Sequence, residues 1–131
     1  MSDEQAVKIE RLPIVDAPVN AAPIPEENVV SGSPEAFAAI LWRNEAGTLF
    51  NGVWHCTPGS FYLDHADETV ALIEGRATVT GPDGVAVELA AGDVGYFPGG
   101  QRVLWEVHET VRKAFHMHDA EGKLLGGGDA E

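Results

Sequence analysis

The sequence predicts an all-β protein, folded as a sandwich or a small barrel. The strongest evidence lies between Glu68 and Trp105, where apolar residues alternate with small, polar or charged ones. A period of two is typical of strands with one buried face. Glycine-rich turns separate these segments, and Gly81-Pro82-Asp83-Gly84 has the composition of a hairpin turn. The overall content of Gly 15 and Pro 8 also favours a fold with many corners.

Residues 1–41 differ from the rest and are expected to form an N-terminal arm and one short helix. Half of the prolines lie in residues 1–30, at Pro13, Pro18, Pro23 and Pro25. The arm could be a flexible tail, could lie on the sheet, or could cross to a partner subunit.

A short helix is predicted to begin at Ser33, which can cap it, with Pro34 at the first helical position and Glu35 near the positive end of the dipole. Phe37, Ile40 and Leu41 would then form its apolar face.

Residues 42–118 are expected to form the barrel, and residues 119–131 a flexible C-terminal tail. The further strand candidates are Leu49–Thr57, Ser60–Leu63, Val111–His118 and Arg102–Val107, the last of which overlaps the end of the Glu68–Trp105 stretch. The tail contains Gly126-Gly127-Gly128 and too few apolar residues to bury itself.

Charge and composition exclude several classes of function. The formal net charge of -13 argues against nucleic acid and against an anionic membrane surface as partners. The acidic N-terminus does not resemble a secretory signal, and no apolar run is long enough to span a membrane. With Cys56 as the single cysteine, no internal disulfide can form. A cytoplasmic protein is therefore expected.

Two half-motifs in the chain resemble those of the cupin superfamily, over about residues 42–117. Glu68 is followed after six residues by Gly75, and Gly92 is followed after five residues by Pro98-x-Gly100. Within the superfamily the chain looks like the branch of ureidoglycine-aminohydrolase-like and ethanolamine-utilisation cupins. The resemblance implies a jelly-roll barrel of two antiparallel sheets.

Metal-binding cupins use three histidines and the glutamate, and this sequence departs from that pattern. The first two histidine positions fall on Tyr62 and Asp64, or on Phe61 and Leu63 with the longer spacing. The third falls on Val103, so only Glu68 remains. One carboxylate cannot replace three imidazoles as ligands of a transition metal. No cofactor is therefore expected.

A small-molecule pocket is predicted inside the barrel, with polar groups from a few acidic residues. Glu68 is the candidate catalytic residue, because burial would raise its pKa and suit it to acid–base chemistry. A structural carboxylate is the competing interpretation. The predicted ligand-binding residues are Trp54, Tyr62, Asp64, Tyr96 and Trp105. The aromatic residues could equally fill the core of a small barrel.

Other residues with chemical potential lie outside the half-motifs. His116 and His118 share one strand face and, with His55 or Asp119, form the alternative site for a divalent transition metal. The segment His65–Glu68 is interpreted as a solvated turn. Cys56 is expected to be buried and inert. Arg112 and Lys113 could bind a substrate carboxylate or simply offset acidic charge.

The sequence thus predicts a small-molecule-binding cupin, with three hypotheses for its role. It could be a metal-independent enzyme that uses Glu68, a non-catalytic ligand-binding or regulatory protein, or a metalloenzyme with an unusual histidine set. A homodimer is expected because jelly-roll edges can pair between subunits.

Overall fold

The computed structural model describes residues 8–119, and the regular secondary structure in this range is almost entirely β-strand. The all-β prediction is confirmed. The strands are β1 Asn20–Ala21, β2 Val29–Gly32, β3 Ala36–Arg43, β4 Leu49–Cys56, β5 Gly59–His65, β6 Asp67–Thr80, β7 Ala86–Ala90, β8 Val94–Phe97 and β9 Gln101–His118. One short 3-10 helix covers Glu26–Asn28.

The strands form one curled antiparallel sheet with two halves, which correspond to the two predicted sheets of a jelly roll. The long strands β6 and β9 pair with each other and run through both halves. In one half, the end of β9 pairs with β4, and the start of β6 pairs with β8. In the other half, the start of β9 pairs with β5, and the end of β6 pairs with β7.

The sheet bends between its halves at Gly75, where the register of β6 against β9 is irregular. Gly75 has a φ of 81°, in the left-handed region that favours glycine. A Cβ at this position would lie 2.0 Å from the backbone oxygen of Thr110 on β9. The half-motif glycine is therefore needed for the close approach of the two long strands.

The predicted helix in residues 33–41 is wrong, because the segment forms β3 instead. Phe37, Ile40 and Leu41 all belong to this strand, which pairs along β4. The local capping signals are real but weak compared with the hydrogen bonds that a whole neighbouring strand supplies. Ala36, the first residue of β3, is buried in the core, and Pro34 precedes the strand.

The N-terminal arm lies against the barrel of its own chain at Leu12, Ile14 and Ala17. Its β1 pairs with β3, and Ala17 is buried. Arg112, on the outer face of β9, donates from Nε to the oxygen of Ile14 at 2.9 Å and from Nη2 to that of Ala17 at 2.7 Å. The predicted flexible tail, apart from Asp119, lies outside the described residues, as do residues 1–7.

Candidate functional site

The interior of the barrel contains a buried ion pair. Lys113 on β9 places its Nζ 3.1 Å from Oε2 of Glu68 on β6, and the two side chains are 3% and 2% exposed. Strand alternation explains both positions. Lys113 lies between the inward-facing Val111 and Phe115, and Glu68 shares a face with the buried Val70. A charge buried this deeply is stable only with a partner and hydrogen bonds.

His65 and Trp105 extend the pair into a chain of hydrogen bonds. Nδ1 of His65 lies 2.8 Å from Oε1 of Glu68, and Nε1 of Trp105 donates to Nε2 of His65 at 3.0 Å. An indole nitrogen can only donate, so Nε2 of His65 is the acceptor. We therefore assign the ring proton to Nδ1, which donates to Glu68. Each oxygen of the carboxylate then accepts one hydrogen bond.

Three aromatic rings surround the ammonium of Lys113. Its Nζ lies 4.7 Å from the ring centroids of Trp54 and Trp105 and 5.9 Å from that of Phe97. Phe97 is also stacked on His65, with centroids 4.3 Å apart, and on Trp105 at 5.6 Å. The faces of aromatic rings attract cations, most strongly where water is excluded.

The charge state of Glu68 follows from this environment. Burial alone would raise the pKa of its carboxyl group, but the ammonium of Lys113 and the hydrogen bond from His65 outweigh burial and hold the pKa below its ordinary value. Glu68 is thus an ionised carboxylate at neutral pH. The raised pKa expected for a general acid is wrong, because a cationic partner, Lys113, faces the group.

The structure separates the predicted site residues into two groups. Trp54 and Trp105 face the interior beside Lys113, as expected. The expectation that Tyr62, Asp64 and Tyr96 line the same interior is wrong. Tyr62 and Asp64 lie on the outer face of β5, where Arg102 stacks over the Tyr62 ring and pairs with Asp64 at 3.2 Å.

Tyr96 also points outwards, on β8, and is 62% exposed. Its hydroxyl donates to Asp67, and this hydrogen bond raises the pKa of Tyr96. The half-motif spacing allows either Tyr62 and Asp64 or Phe61 and Leu63 to point inward. In the structure, Phe61 points into the barrel and Tyr62 points outward.

Three residues of the buried centre were not predicted as site residues. His65 was interpreted as part of a solvated turn, yet it is buried at the end of β5. Its alternation with the inward-facing Phe61 could have identified it. Lys113 was expected to bind a substrate carboxylate or to offset acidic charge, and its pairing with Glu68 in the interior was not predicted. Phe97 precedes the half-motif proline and gave no signal of its own.

A cleft of about 300 Å³ opens between the β6–β7 hairpin and β8, and we call it the hairpin cleft. Its polar lining residues include Tyr96, Asp83 and Gln101, so the predicted ligand-binding residue Tyr96 lies at this cleft and not in the buried centre. Most of its remaining lining is apolar, including Val79, Val85, Val87, Leu89, Phe97 and Val103. The ring of Phe97 lies between this cleft and His65, because it lines the first and stacks on the second.

A second groove of about 300 Å³ lies on the outer face, between the arm residues Leu12 and Ile14 and the sheet. His116 lines it and is hydrogen-bonded to Asn51. Both His116 and His118 are exposed. Within residues 8–119, no group of three or more His, Cys, Asp or Glu side chains could hold a metal ion. The alternative metal site therefore gains no support from its surroundings.

Cys56 is fully buried at the end of β4. Burial raises the pKa of its thiol to about 12, although Lys113 acts in the opposite direction. The thiol is protonated at neutral pH, so Cys56 cannot serve as a nucleophile.

A small antiparallel barrel with one half-motif on the long strand β6, the other in the turns around β8, and a glutamate in its interior is a cupin. More narrowly, the chain belongs to the EutQ-like cupin domain family, which it matches over residues 43–115. No curated protein matches the chain significantly. Among residues 8–119, no helix is long and apolar enough to cross a membrane.

Several solved structures resemble the chain. A protein of unknown function from Pseudomonas syringae is 27% identical with a TM-score of 0.69, and the match covers 76% of this chain but only 44% of that protein. The EutQ protein of Clostridium difficile is 19% identical with a TM-score of 0.60, covering 76% of this chain and 82% of that one. A putative ethanolamine utilization protein from Salmonella typhimurium is 17% identical with a TM-score of 0.58, covering 85% and 99%. These last two show the fold alone.

The residues at the cupin metal positions do not fit a metal ion. Phe61, Leu63 and Val103 are the side chains that the strands turn inward there, and none has a ligand atom. The remaining carboxylate, Glu68, already forms an ion pair with the ammonium of Lys113, and the positive charge of that ammonium would repel a metal cation. No step of a mechanism is therefore derived through a metal.

Proposed function

We propose that this domain binds a small, largely apolar molecule in the hairpin cleft, without a metal ion. The observation that supports this best is the position of Val103. This residue occupies the third histidine position of a metal-binding cupin, is 3% exposed, and forms part of the wall of the cleft. The site that would hold a metal ligand in other cupins is here an apolar surface for a ligand.

The lining of the cleft suggests the chemistry of its ligand. A volume of about 300 Å³ is at the lower end of known ligand sites, which suits a molecule with a single ring. Asp83 already accepts a hydrogen bond from the backbone of Val85, so Gln101 is the better donor and acceptor for a ligand. A neutral compound with one ring and one polar group fits the small volume of the cleft and can hydrogen-bond to Gln101.

Binding without catalysis by Glu68 fits the contacts better than the enzyme hypothesis. Glu68, His65 and Lys113 do not line the hairpin cleft, and Phe97 lies between that cleft and His65. Both oxygens of Glu68 are also engaged by protein donors. A general base needs a free acceptor within reach of the substrate proton. The further likeness to ureidoglycine aminohydrolases stays a prediction.

Calorimetric titration with benzamide, phenol and cyclohexanol tests this function. Val87→Glu places a charge at the mouth of the cleft, and Val30→Glu is the matched control on β2; the wild-type valines are 49% and 58% exposed. We expect at least one probe to bind, with Val87→Glu weakening it about tenfold and Val30→Glu leaving it unchanged. Failure of all three probes at millimolar concentration, or equal binding by the two variants, would refute the proposal.

The metal-independent part has its own measurement. Elemental analysis of protein purified without an affinity tag should give far less than one transition metal per chain. One metal per chain, lost in the variant Glu68→Gln, would contradict it.

A further inference from the structure

The centre of the barrel has the composition of a cation site, although the family's metal ligands are missing. A carboxylate lies on one side of Lys113 Nζ, at 3.1 Å, and three aromatic rings lie around it. Carboxylates and aromatic faces are the groups with which proteins recognise organic ammonium ions. We propose that this centre is an ammonium-binding site, which the chain fills with its own Lys113 side chain.

The walls of this site are held in place by contacts that do not involve Lys113. Glu68 is fixed by His65, and His65 in turn accepts a hydrogen bond from Trp105. Phe97 stacks on both His65 and Trp105. Trp54 packs on Trp105, with centroids 5.3 Å apart. Removal of the lysine would therefore leave a preorganised site rather than a collapsed one.

The shape of Lys113 defines the ligand that tests the proposal. Lys113→Ala keeps Cβ and removes three carbons and the ammonium, which together are the heavy atoms of n-propylammonium. The neutral n-propanol has nearly the same shape and no charge. Binding of the amine but not of the alcohol would separate recognition of an ammonium ion from simple filling of a cavity.

The experiment measures the Tm of Lys113→Ala while n-propylammonium chloride is titrated. We expect a lower Tm than in the wild type, and a saturable recovery of at least half the loss. Sodium chloride at equal ionic strength and n-propanol should restore little. The wild type, whose site is filled, should not respond, and Lys113→Ala/Glu68→Gln should lose the recovery. Equal recovery with n-propanol, or none with the amine, would overturn the proposal.

A second measurement needs no variant and applies if Lys113→Ala fails to fold. In the wild-type protein, the ε-methylene protons of Lys113 should show NMR signals far upfield of an exposed lysine, because the rings of Trp54 and Trp105 face them. Lys113 should also resist reductive methylation that modifies the exposed Lys8. Chemical shifts like those of an exposed lysine, together with ready methylation of Lys113, would show that its ammonium does not lie among the aromatic rings and would overturn the proposal. Neither result depends on ligand binding in the hairpin cleft.

Discussion

The ammonium of Lys113 lies 3.1 Å from the carboxylate of Glu68, and neither side chain is more than 3% exposed. The two residues are 45 positions apart in the chain. Their contact therefore requires β6 and β9 to be paired in the correct register and the barrel to be closed around them. Breaking one partner would leave the other as a buried, uncompensated charge.

We expect Lys113→Met to lower the free energy of unfolding by about 3–5 kcal/mol, because the Glu68 carboxylate loses its cation. Lys113→Met/Glu68→Gln should recover part of this loss, since no buried charge remains and the amide oxygen can still accept from His65. Urea unfolding, monitored by tryptophan fluorescence, measures the free energy of unfolding of the single and the double variant. As a control, Arg102→Met removes the exposed pair with Asp64 and should cost no more than about 1 kcal/mol. A double variant less stable than the sum of the single ones would contradict the pairing.

Acid should destabilise the protein in part through Glu68. The pKa of this carboxyl group is lower in the folded than in the unfolded state, so its ionised form stabilises the fold above the unfolded pKa. That stabilisation is lost as the pH falls through the folded pKa, because the folded carboxylate must then take up a proton beside Lys113 and His65. Glu68→Gln should therefore flatten the fall in stability below about pH 4. An unchanged acid slope in denaturant titrations would show that Glu68 does not contribute.

Gly75→Ala should destabilise far more than Gly84→Ala, although both glycines have φ near 80°. Gly84 has nothing within 4 Å of an added Cβ. The only cost of alanine there is the strain of the left-handed backbone conformation, which lowers the free energy of unfolding by about 1–2 kcal/mol. At Gly75 the Cβ would also collide with the backbone of Thr110, and we expect a loss above about 4 kcal/mol. Thermal unfolding of the two variants makes the comparison. Similar losses would mean that β6 and β9 can separate at the bend.

Arg112→Lys should release the arm while leaving the barrel folded. Lysine retains the charge but cannot reach the oxygens of both Ile14 and Ala17 in the forked geometry of a guanidinium group. Hydrogen exchange at the amide of Ala22, which bonds to Ala36 on β3, should then accelerate about tenfold. Arg76→Lys, at an exposed pair with Glu109, is the control. Equal protection in the two variants would show that β1 alone holds the arm.

Much of the fold could be predicted from local pattern. Alternation identified the strands, and the half-motif glycines marked the corners that the structure contains. The short helix failed because capping signals are local, whereas β3 is stabilised by pairing along β4, information that its own residues do not contain.

The candidate site was predictable only in part. Alternation divides the residues of a strand between two faces but does not say which face points inward. In β5, placing Tyr62 and Asp64 on the inner face was wrong, because both lie on the outer face. Lys113 could have been placed inward by its apolar neighbours on β9. The pairing of Lys113 with Glu68 could not be predicted, because it depends on the register of β9 against β6, which are distant in the sequence.

The position of β9 has a consequence for how the protein is made. This strand pairs with β4, β5 and β6, all of which precede it in the chain and are synthesised first. Until residues 101–118 leave the ribosome, those three strands have open edges and exposed apolar faces. The barrel must therefore close late and through contacts between distant residues, which makes folding slow. Nascent chains that stall before β9 should depend on chaperones, and mutations in this strand should reduce yield more than equally destabilising ones in β7.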